Sequence, residues 1–277
     1  MSSSSWTERV VLVRDGVRLS CRDWGRSGGS GPDTLLLHGL AGHCGEWDAL
    51  ARLLRDAGHR VVALDQRGHG SSERLPADVS RAAYVADVLA VVEELGLVRP
   101  LLIGQSLGGH TALLTAAARP DLPRALVLVE AGPGEPEPGL PEQIGGWLRA
   151  WPVPFPSREA AVAYLGDGKR AVGEGWADGL EERDGGLWPR FDPEVMERSL
   201  HENARRDFRE EWAAVTCPGL VVLGEGGIIG RDQYADMARA RPGLRGVSLP
   251  GAGHDVHLER PELLGGLILD FVRRQGL

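Results

Sequence analysis

Short apolar runs separated by helical segments are the feature that most constrains the fold of this chain. Six such runs occupy residues 34–39, 60–65, 100–105, 124–130, 218–224 and 244–250. Runs of this length that are apolar nearly throughout are typical of strands buried on both faces. Segments of helical character, closed by Gly or Pro, lie between the runs. The alternation predicts an α/β fold, in which a mostly parallel sheet carries helices on both faces.

Two further strands are predicted near the N-terminus, in ERVVLVR and VRLSCRDW, on either side of Asp15-Gly16. An Asp-Gly pair tolerates the positive φ angles of a tight turn, so the two strands are expected to form an antiparallel hairpin. The complete prediction is therefore a sheet of eight strands.

The strand and helix alternation stops between about Pro133 and Ala213. We predict a helical insertion at 133–213, after the sixth strand, between two parts of one core at 1–132 and 214–277. Aromatic side chains of such an insertion can place apolar surface over a substrate. The candidates are Trp147, Trp151, Phe155, Trp176 and Trp188. The alternative is that aromatic residues form the insertion's own core.

Ser106 lies in the pattern Gly104-Gln105-Ser106-Leu107-Gly108, between a predicted buried strand and a predicted helix. In this context, G-x-S-x-G places a serine hydroxyl on a strained turn at the end of the sheet. The first free N–H of the new helix, on Leu107, points to where an acyl oxygen would become negative. Ser106 is therefore the candidate nucleophile.

Four motifs in order extend this pattern: HGL at 38–40, DQRGHGSS at 65–72, GQSLGG at 104–109 and GAGHDVHLERPE at 251–262. The chain resembles α/β-hydrolase fold enzymes over essentially its whole length. The resemblance implies that Leu40 joins Leu107 in an oxyanion hole and that the insertion corresponds to the family's cap. It also implies that His38 mainly shapes its loop.

His254 is the predicted base among eight histidines. It follows the last strand, where the C-terminal loop can fold over Ser106, and the family places its catalytic histidine in a similar Gly-x-Gly-His context. Structural roles are expected for His69 and His257.

The acid that would orient His254 is less directly indicated. Many relatives carry an aspartate three residues after the seventh strand, and that position holds Gly227. Some relatives place the acid after the sixth strand, whose end lies close by at the same edge of the sheet. Glu130 is therefore the preferred acid, followed by Asp232, Glu225 and Asp255. A purely structural Glu130, paired with an arginine, is the alternative.

These residues predict a serine hydrolase that cleaves a carboxylic ester, lactone or thioester of a fairly apolar small molecule through an acyl-serine intermediate. The same residues could instead serve a C–C bond hydrolase, a lyase or a cyclase, because fold does not fix chemistry. A ligand-binding receptor with little turnover is the third possibility. No metal or organic cofactor is expected.

Composition and charge restrict the classes of molecule that the protein is expected to bind. The net charge of −8 and the pI near 5.5, without a basic run, argue against nucleic acid or an anionic membrane. No basic and apolar leader and no apolar stretch of ~20 residues is evident, so a cytoplasmic protein is expected. Three cysteines without metal-type spacing indicate neither a disulfide framework nor a zinc site. The sequence does not determine the oligomeric state.

Overall fold

An eight-stranded sheet is the frame of the molecule in the computed structural model, which describes residues 6–277. The ten strands of the fold are β1 (Thr7–Leu12), β2 (Arg18–Arg26), β3 (Asp33–Leu37), β4 (Arg60–Asp65), β5 (Leu101–Gln105), β6 (Ala125–Val129), β7 (Glu181–Arg183), β8 (Gly186–Trp188), β9 (Gly219–Gly224) and β10 (Arg245–Leu249). The sheet has the order β1-β2-β4-β3-β5-β6-β9-β10, and β7 and β8 form a separate hairpin. The predicted α/β fold class is confirmed.

The helices of the described chain include those that cover the two faces of the sheet and those of the segment between β6 and β9. They are α1 (Asp48–Asp56), α2 (Arg81–Glu94), α3 (Ser106–Ala118), α4 (Leu140–Arg149), α5 (Arg158–Gly166), α6 (Arg170–Ala177), α7 (Pro193–Leu200), α8 (Arg209–Ala214), α9 (Arg231–Ala240), α10 (Val256–Glu259) and α11 (Pro261–Gln275). Within residues 6–277, none of the helices has both the length and the apolar character needed to cross a membrane. The prediction that the chain starts without a leader concerns in part residues 1–5, which lie outside the described range.

Six strands of the sheet pair in parallel, so their carboxyl ends meet at one edge: β3, β4, β5, β6, β9 and β10. β1 and β2 extend the sheet as an antiparallel pair joined at Asp15-Gly16, and Gly16 has a φ of +84°. The Asp-Gly turn that the sequence predicts is therefore present. The shared edge places the residues that follow β3, β5, β6 and β9 close to one another.

Alternate residues of the central strands enter two different apolar clusters. Leu35 and Leu37 of β3 belong to one cluster, whereas Leu36 of the same strand belongs to the other with Ile103 of β5. Side chains of a strand alternate between the two faces of a sheet, so both faces are covered. This double burial explains why the strand sequences are apolar nearly throughout.

The segment from α4 to α8 (residues 140–214), which we call the insert, lies in the chain between β6 and β9. Aromatic side chains of its earlier part, among them Trp151, join a third apolar cluster together with Leu107 of α3. Phe208 and Trp212, at its end, instead belong to a cluster of the sheet. The insert therefore packs over the edge of the sheet where α3 begins. The division of the chain into core and cap domains stays a prediction.

A buried ion pair anchors the segment that follows β4. Arg67 is 1% exposed, and its Nε and Nη2 donate to the two carboxylate oxygens of Asp87 on α2 at 2.6 Å each. Its Nη1 donates to Asp15 at 2.9 Å and to the carbonyl of Asp78 at 2.8 Å. One guanidinium thus joins the DQRGHGSS segment, the N-terminal hairpin and α2.

Asp87→Asn should lower the free energy of unfolding by about 3–5 kcal/mol, because it leaves Arg67 as a buried and incompletely paired cation. Urea unfolding followed by circular dichroism measures the change. Asp121→Asn is the control, since Asp121 pairs with Arg119 on the surface and should matter little. Equal stability of the two variants would show that the buried pair contributes no more than a surface pair.

Candidate active site

Ser106 stands where β5 passes directly into α3. Its φ of +50° lies in the left-handed region that L residues rarely adopt, as expected for a strained turn. A Cβ on Gly104 would collide with the backbone of Gly108, and one on Gly108 would collide with the carbonyl oxygens of Leu37 and His38. The flanking glycines therefore allow the strand, the helix and the loop after β3 to approach closely around the serine.

The loop after β3 passes beside Ser106. A Cβ built on Gly39 would lie 3.4 Å from the Cβ of Ser106, and Leu40 is the next residue. Leu107 is the second residue of α3, so its N–H has no intrahelical acceptor. Leu107 thus follows Ser106 directly, and Leu40 follows the glycine that lies beside Ser106. Both residues have a backbone N–H group. This placement suits an oxyanion hole.

Glu130 follows β6 directly and is completely buried, with a φ of +50°. Its Oε1 accepts the N–H of Gly224 at 2.7 Å, and its Oε2 accepts those of Ile228 at 2.6 Å and Ile229 at 3.4 Å. These donors belong to the end of β9 and the loop after it. Backbone N–H groups therefore replace the water that the carboxylate loses on burial.

Gly227 explains why this loop carries no acid at the usual position. A Cβ at this position would collide with all three carboxylate atoms of Glu130. The Glu130 carboxylate thus occupies the space into which a side chain at position 227 would project. The glycine at the usual acid position and the glutamate on the neighbouring strand are two parts of one arrangement.

His254 lies over the Glu130 carboxylate, with its Nδ1 3.6 Å from Oε2 and about a third of its side chain exposed. This separation is longer than a hydrogen bond, as is common for catalytic contacts before a substrate is bound. Asp232 is exposed on α9, and Glu225 accepts the N–H of Gly251. Of the four candidate acids, only Glu130 lies within ion-pair distance of His254 in the described part of the chain.

Gln105 determines which nitrogen of His254 carries the proton. The Nε2 of Gln105 lies 3.2 Å from the carbonyl oxygen of His254, which can only accept, so this amide atom must be the NH2 group. The same atom lies 3.0 Å from the ring Nε2 of His254, which must then accept through its lone pair. The ring proton is therefore on Nδ1 and faces Glu130.

The amide of Gln105 also takes up the lone pair of His254 Nε2, with which His254 would accept a proton as the base. Within residues 6–277, no hydrogen bond joins the Oγ of Ser106 to His254. The structure thus brings His254 together with Glu130 and Gln105, whereas the contact between His254 and Ser106 is not made. Gln105 is 2% exposed, and the space for its amide exists because Gly39 has no Cβ.

The other histidines near the site are held in structural contacts. His38 donates from Nδ1 to the carbonyl of Gly39 and accepts the N–H of Gln66 at Nε2. Burial lowers the pKa of His38 to about 3 and that of His69 to about 3, so both rings are neutral. His257 is buried against Glu46, and burial lowers its pKa to about 4. These contacts favour His254 as the base.

The five aromatic residues predicted to face a substrate differ in exposure. Trp147 is 47% exposed, Trp176 and Trp188 are partly buried, and Trp151 and Phe155 are 4% and 1% exposed. Edge-to-face contacts join Trp147, Trp151 and Trp176, with ring centroids 5.5–6.0 Å apart. Phe155 packs among residues of the insert, including Tyr164. Its packing fits the alternative of an aromatic core within the insertion better than a direct substrate contact.

Sequence reasoning did not identify Gln105 or Arg190 as residues of the site. Gln105 is the one polar side chain of an otherwise apolar strand, and this is the signal that could have drawn attention to it. Its partner lies 149 positions away, so no local pattern predicts the contact. Arg190 lies in the insert and faces the loop after β3, and no motif marks it.

Known proteins that resemble the chain are hydrolases. A family model described as "Alpha/beta hydrolase family" matches residues 34–265. The 2-(acetamidomethylene)succinate hydrolase of Mesorhizobium japonicum is 30% identical over 256 residues, which are 89% of this chain and 90% of that protein. A crystal structure of E-2-(acetamidomethylene)succinate hydrolase superposes with a TM-score of 0.85 at 28% identity, covering 97% of this chain and 99% of that one.

Two further relatives act on different substrates. The sn-1-specific diacylglycerol lipase of Mus musculus is 29% identical and covers 83% of this chain and 78% of its own. The 2-hydroxy-6-oxononadienedioate/2-hydroxy-6-oxononatrienedioate hydrolase of Burkholderia vietnamiensis is 28% identical and covers 99% of this chain and 98% of its own. Relatives of similar identity therefore differ in the compound that they hydrolyse.

The contact between Gln105 and His254 can be tested by nitrogen-15 NMR of histidine-labelled protein at alkaline pH. We expect a protonated Nδ1 and an Nε2 that accepts a hydrogen bond. Gln105→Met removes the donor, so the Nε2 resonance should move toward that of a free base and the other tautomer should become populated. Gln143→Met, on the exposed face of α4, is the control. A wild-type His254 protonated at Nε2 would contradict the assignment.

Proposed function

The chain belongs to the alpha/beta hydrolase family, and we propose that it cleaves a carboxylic ester, a lactone or a thioester of a fairly apolar small molecule through an acyl-Ser106 intermediate. One observation carries the proposal. A serine on a strained turn, a buried carboxylate and an imidazole in the Nδ1-protonated form follow β5, β6 and β10 and lie at one edge of the sheet. The buried carboxylate and the strained turn suit their roles in acyl transfer, and His254 can act as the base once Gln105 releases its Nε2.

In the proposed reaction, the Nε2 of His254 accepts the proton of Ser106 as the Oγ attacks the carbonyl carbon. The lone pair of Nε2 must first be released by the amide of Gln105, which now donates to it. The imidazolium that forms is stabilised by Glu130, whose charge is held in place by the backbone of the loop after β9.

The N–H groups of Leu40 and Leu107 stabilise the oxyanion of the tetrahedral intermediate. Collapse of this intermediate breaks the bond to the leaving group, which takes the proton from His254. A water molecule then attacks the acyl-enzyme and transfers its proton to His254. Collapse of the second intermediate releases the acid and returns the proton to Ser106. Two half-reactions thus use one base and one pair of donors.

A C–C bond is the second candidate for the bond that is cleaved. The lipase relative favours an ester, whereas the relative from Burkholderia vietnamiensis acts on an oxo dioate, and this name favours C–C bond hydrolysis by the same residues. The second candidate requires the same base and oxyanion donors but places the carbonyl in a ketone. Ester hydrolysis remains our proposal because the strained turn and the oriented base equip Ser106 for acyl transfer.

Ser106 should be labelled by a fluorophosphonate, and activated 4-nitrophenyl esters should give a burst of acyl-enzyme. Mass spectrometry locates the label and rapid mixing measures the burst. Ser106→Ala should abolish both, whereas Ser248→Ala, on the exposed side of β10, should retain both. A protein that is not labelled and cleaves no ester would overturn the proposal. Labelling without ester cleavage, together with cleavage of oxo dioates, would favour C–C hydrolysis.

The acid can be tested by removing and relocating it. Glu130→Gln should lower kcat by about 10⁴-fold, whereas Asp232→Asn should leave it near the wild-type value. Glu130→Ala with Gly227→Asp returns a carboxylate to the same space from the neighbouring loop, so it should recover part of the lost rate over Glu130→Ala alone. Steady-state assays give these values. A rate that falls with Asp232→Asn and survives Glu130→Gln would reject Glu130 as the acid.

A further inference from the structure

A small cavity lies between the loop after β3 and the insert. Its volume is about 10 Å³, which is close to the space that one water molecule needs. The core contributes Ala41, Gly42 and His43, and the insert contributes Trp151, Trp176 and Arg190. Neither Ser106 nor His254 is among the residues that line the cavity. The proposed acyl transfer does not use Arg190.

Arg190 has no anionic partner among residues 6–277. Its Nη1 donates to the Oγ of Ser71 at 3.1 Å, and its Nε is buried without an acceptor within residues 6–277. No carboxylate lies within ion-pair distance of it in the same range, whereas other partly buried arginines are paired, such as Arg60 with Asp23. A guanidinium that loses water without gaining an acceptor is costly, so a missing anionic partner is indicated.

Two indole groups at the same cavity also lack a hydrogen-bond acceptor. The Nε1 atoms of Trp151 and Trp176 are buried and have no acceptor among the described residues. An indole N–H and a guanidinium are donors only, so they cannot satisfy one another. Three donors without an acceptor among the described residues thus belong to side chains that line one cavity, which favours a molecule rich in acceptors as its occupant.

The polar groups around the cavity do not supply that acceptor. His43 accepts the N–H of Gly45 at Nδ1, so its Nε2 donates to the carbonyl of Gly175 at 2.9 Å and the ring is uncharged. The carboxylate of Asp65 accepts the N–H groups of Cys44 and Ser71. These two backbone N–H groups, and not Arg190, are therefore the partners of the Asp65 carboxylate.

A carboxylate on the small hairpin of the insert is also occupied. Glu181 of β7 forms an ion pair with Arg74 at 2.8 Å. The positive charge of Arg190 is therefore the uncompensated one at this cavity, and it faces the loop that carries Leu40.

The cavity adjoins the proposed acyl-transfer site. Ala41, which lines it, follows Leu40 directly, and Trp151 belongs to the same apolar cluster as Leu107. The loop that carries Leu40 and the apolar cluster that includes Leu107 therefore both border the cavity that Arg190 lines. The body of a molecule bound here would lie against aromatic rings, and its end would meet three donors.

We propose that this cavity binds a carboxylate of the substrate through Arg190, Trp151 and Trp176. The substrate class is an ester, lactone or thioester that carries a free carboxylate on an otherwise apolar body. The inference rests on the proposed function of Ser106 and specifies its substrate. The cavity must widen from its volume of about 10 Å³ to admit a carboxylate, and Trp176, which lines it, is only partly buried.

The test compares esters that differ only in a carboxylate. The acyl side is probed with 4-nitrophenyl hemiglutarate against 4-nitrophenyl pentanoate, and the alcohol side with 4-acetoxybenzoate against phenyl acetate. Arg190→Gln should lower kcat/KM about 10- to 100-fold for the carboxylate member of one pair, with the neutral member changed less than about threefold. Arg190→Lys, which retains the charge, should recover part of the loss.

Arg170→Gln is the matched control, since Arg170 lies on the insert with its side chain 81% exposed. It should change neither pair. Equal loss for both members of each pair, or no loss for any carboxylate ester, would overturn the inference. Thermal melting of Arg190→Gln and Arg190→Lys separates a folding defect from lost recognition.

Binding distinguishes failure of this inference from failure of the proposed function. Ser106→Ala protein is titrated with methyl hydrogen glutarate and with methyl pentanoate by calorimetry, with and without Arg190→Gln. Binding that requires the carboxylate and is lost with Arg190→Gln supports the cavity even if no ester is turned over and Ser106 is not labelled. No binding of the monoester together with turnover of neutral esters would reject the cavity and keep the proposed function.

Discussion

The carboxylate of Glu130 is the group on which the geometry of this site depends. It is completely buried at the end of β6, and a charge in that position requires several donors. The backbone of the neighbouring loop supplies them, from Gly224, Ile228 and Ile229. The loop after β9 is in this way folded around a side chain of another strand, and its shape positions the carboxylate under His254. Residue 227 has no side chain because the carboxylate fills that space.

The strands and the nucleophile turn could be predicted from sequence because both depend on local constraints. A strand buried on two faces must be apolar throughout, and a serine between a strand and a helix needs glycines on both sides. The preference for Glu130 depended on the geometry of parallel strands, which end at a common edge. The loop that surrounds its carboxylate could not be predicted, since the loop's conformation depends on the side chain that it encloses.

Contacts between distant parts of the chain were outside the reach of sequence patterns. Gln105 meets His254 across 149 positions, and Arg190 meets Ser71 across 119. Such contacts depend on how the insert and the C-terminal loop pack on the sheet. The aromatic residues illustrate the same limit. Composition indicated apolar surface, but the burial of Phe155 and the exposure of Trp147 are decided by packing.

The collision between Glu130 and any side chain at position 227 restricts the order in which this arrangement can arise. An ancestor with an aspartate at 227 could not accept Glu130, because both groups need the same volume. The aspartate would have to be replaced by glycine before the glutamate appeared, through an intermediate whose histidine has no acid. Such an intermediate would react about 10⁴-fold more slowly if the acid acts as proposed. An acid at the end of β6 and an acid at position 227 therefore exclude one another in this arrangement of the two strands.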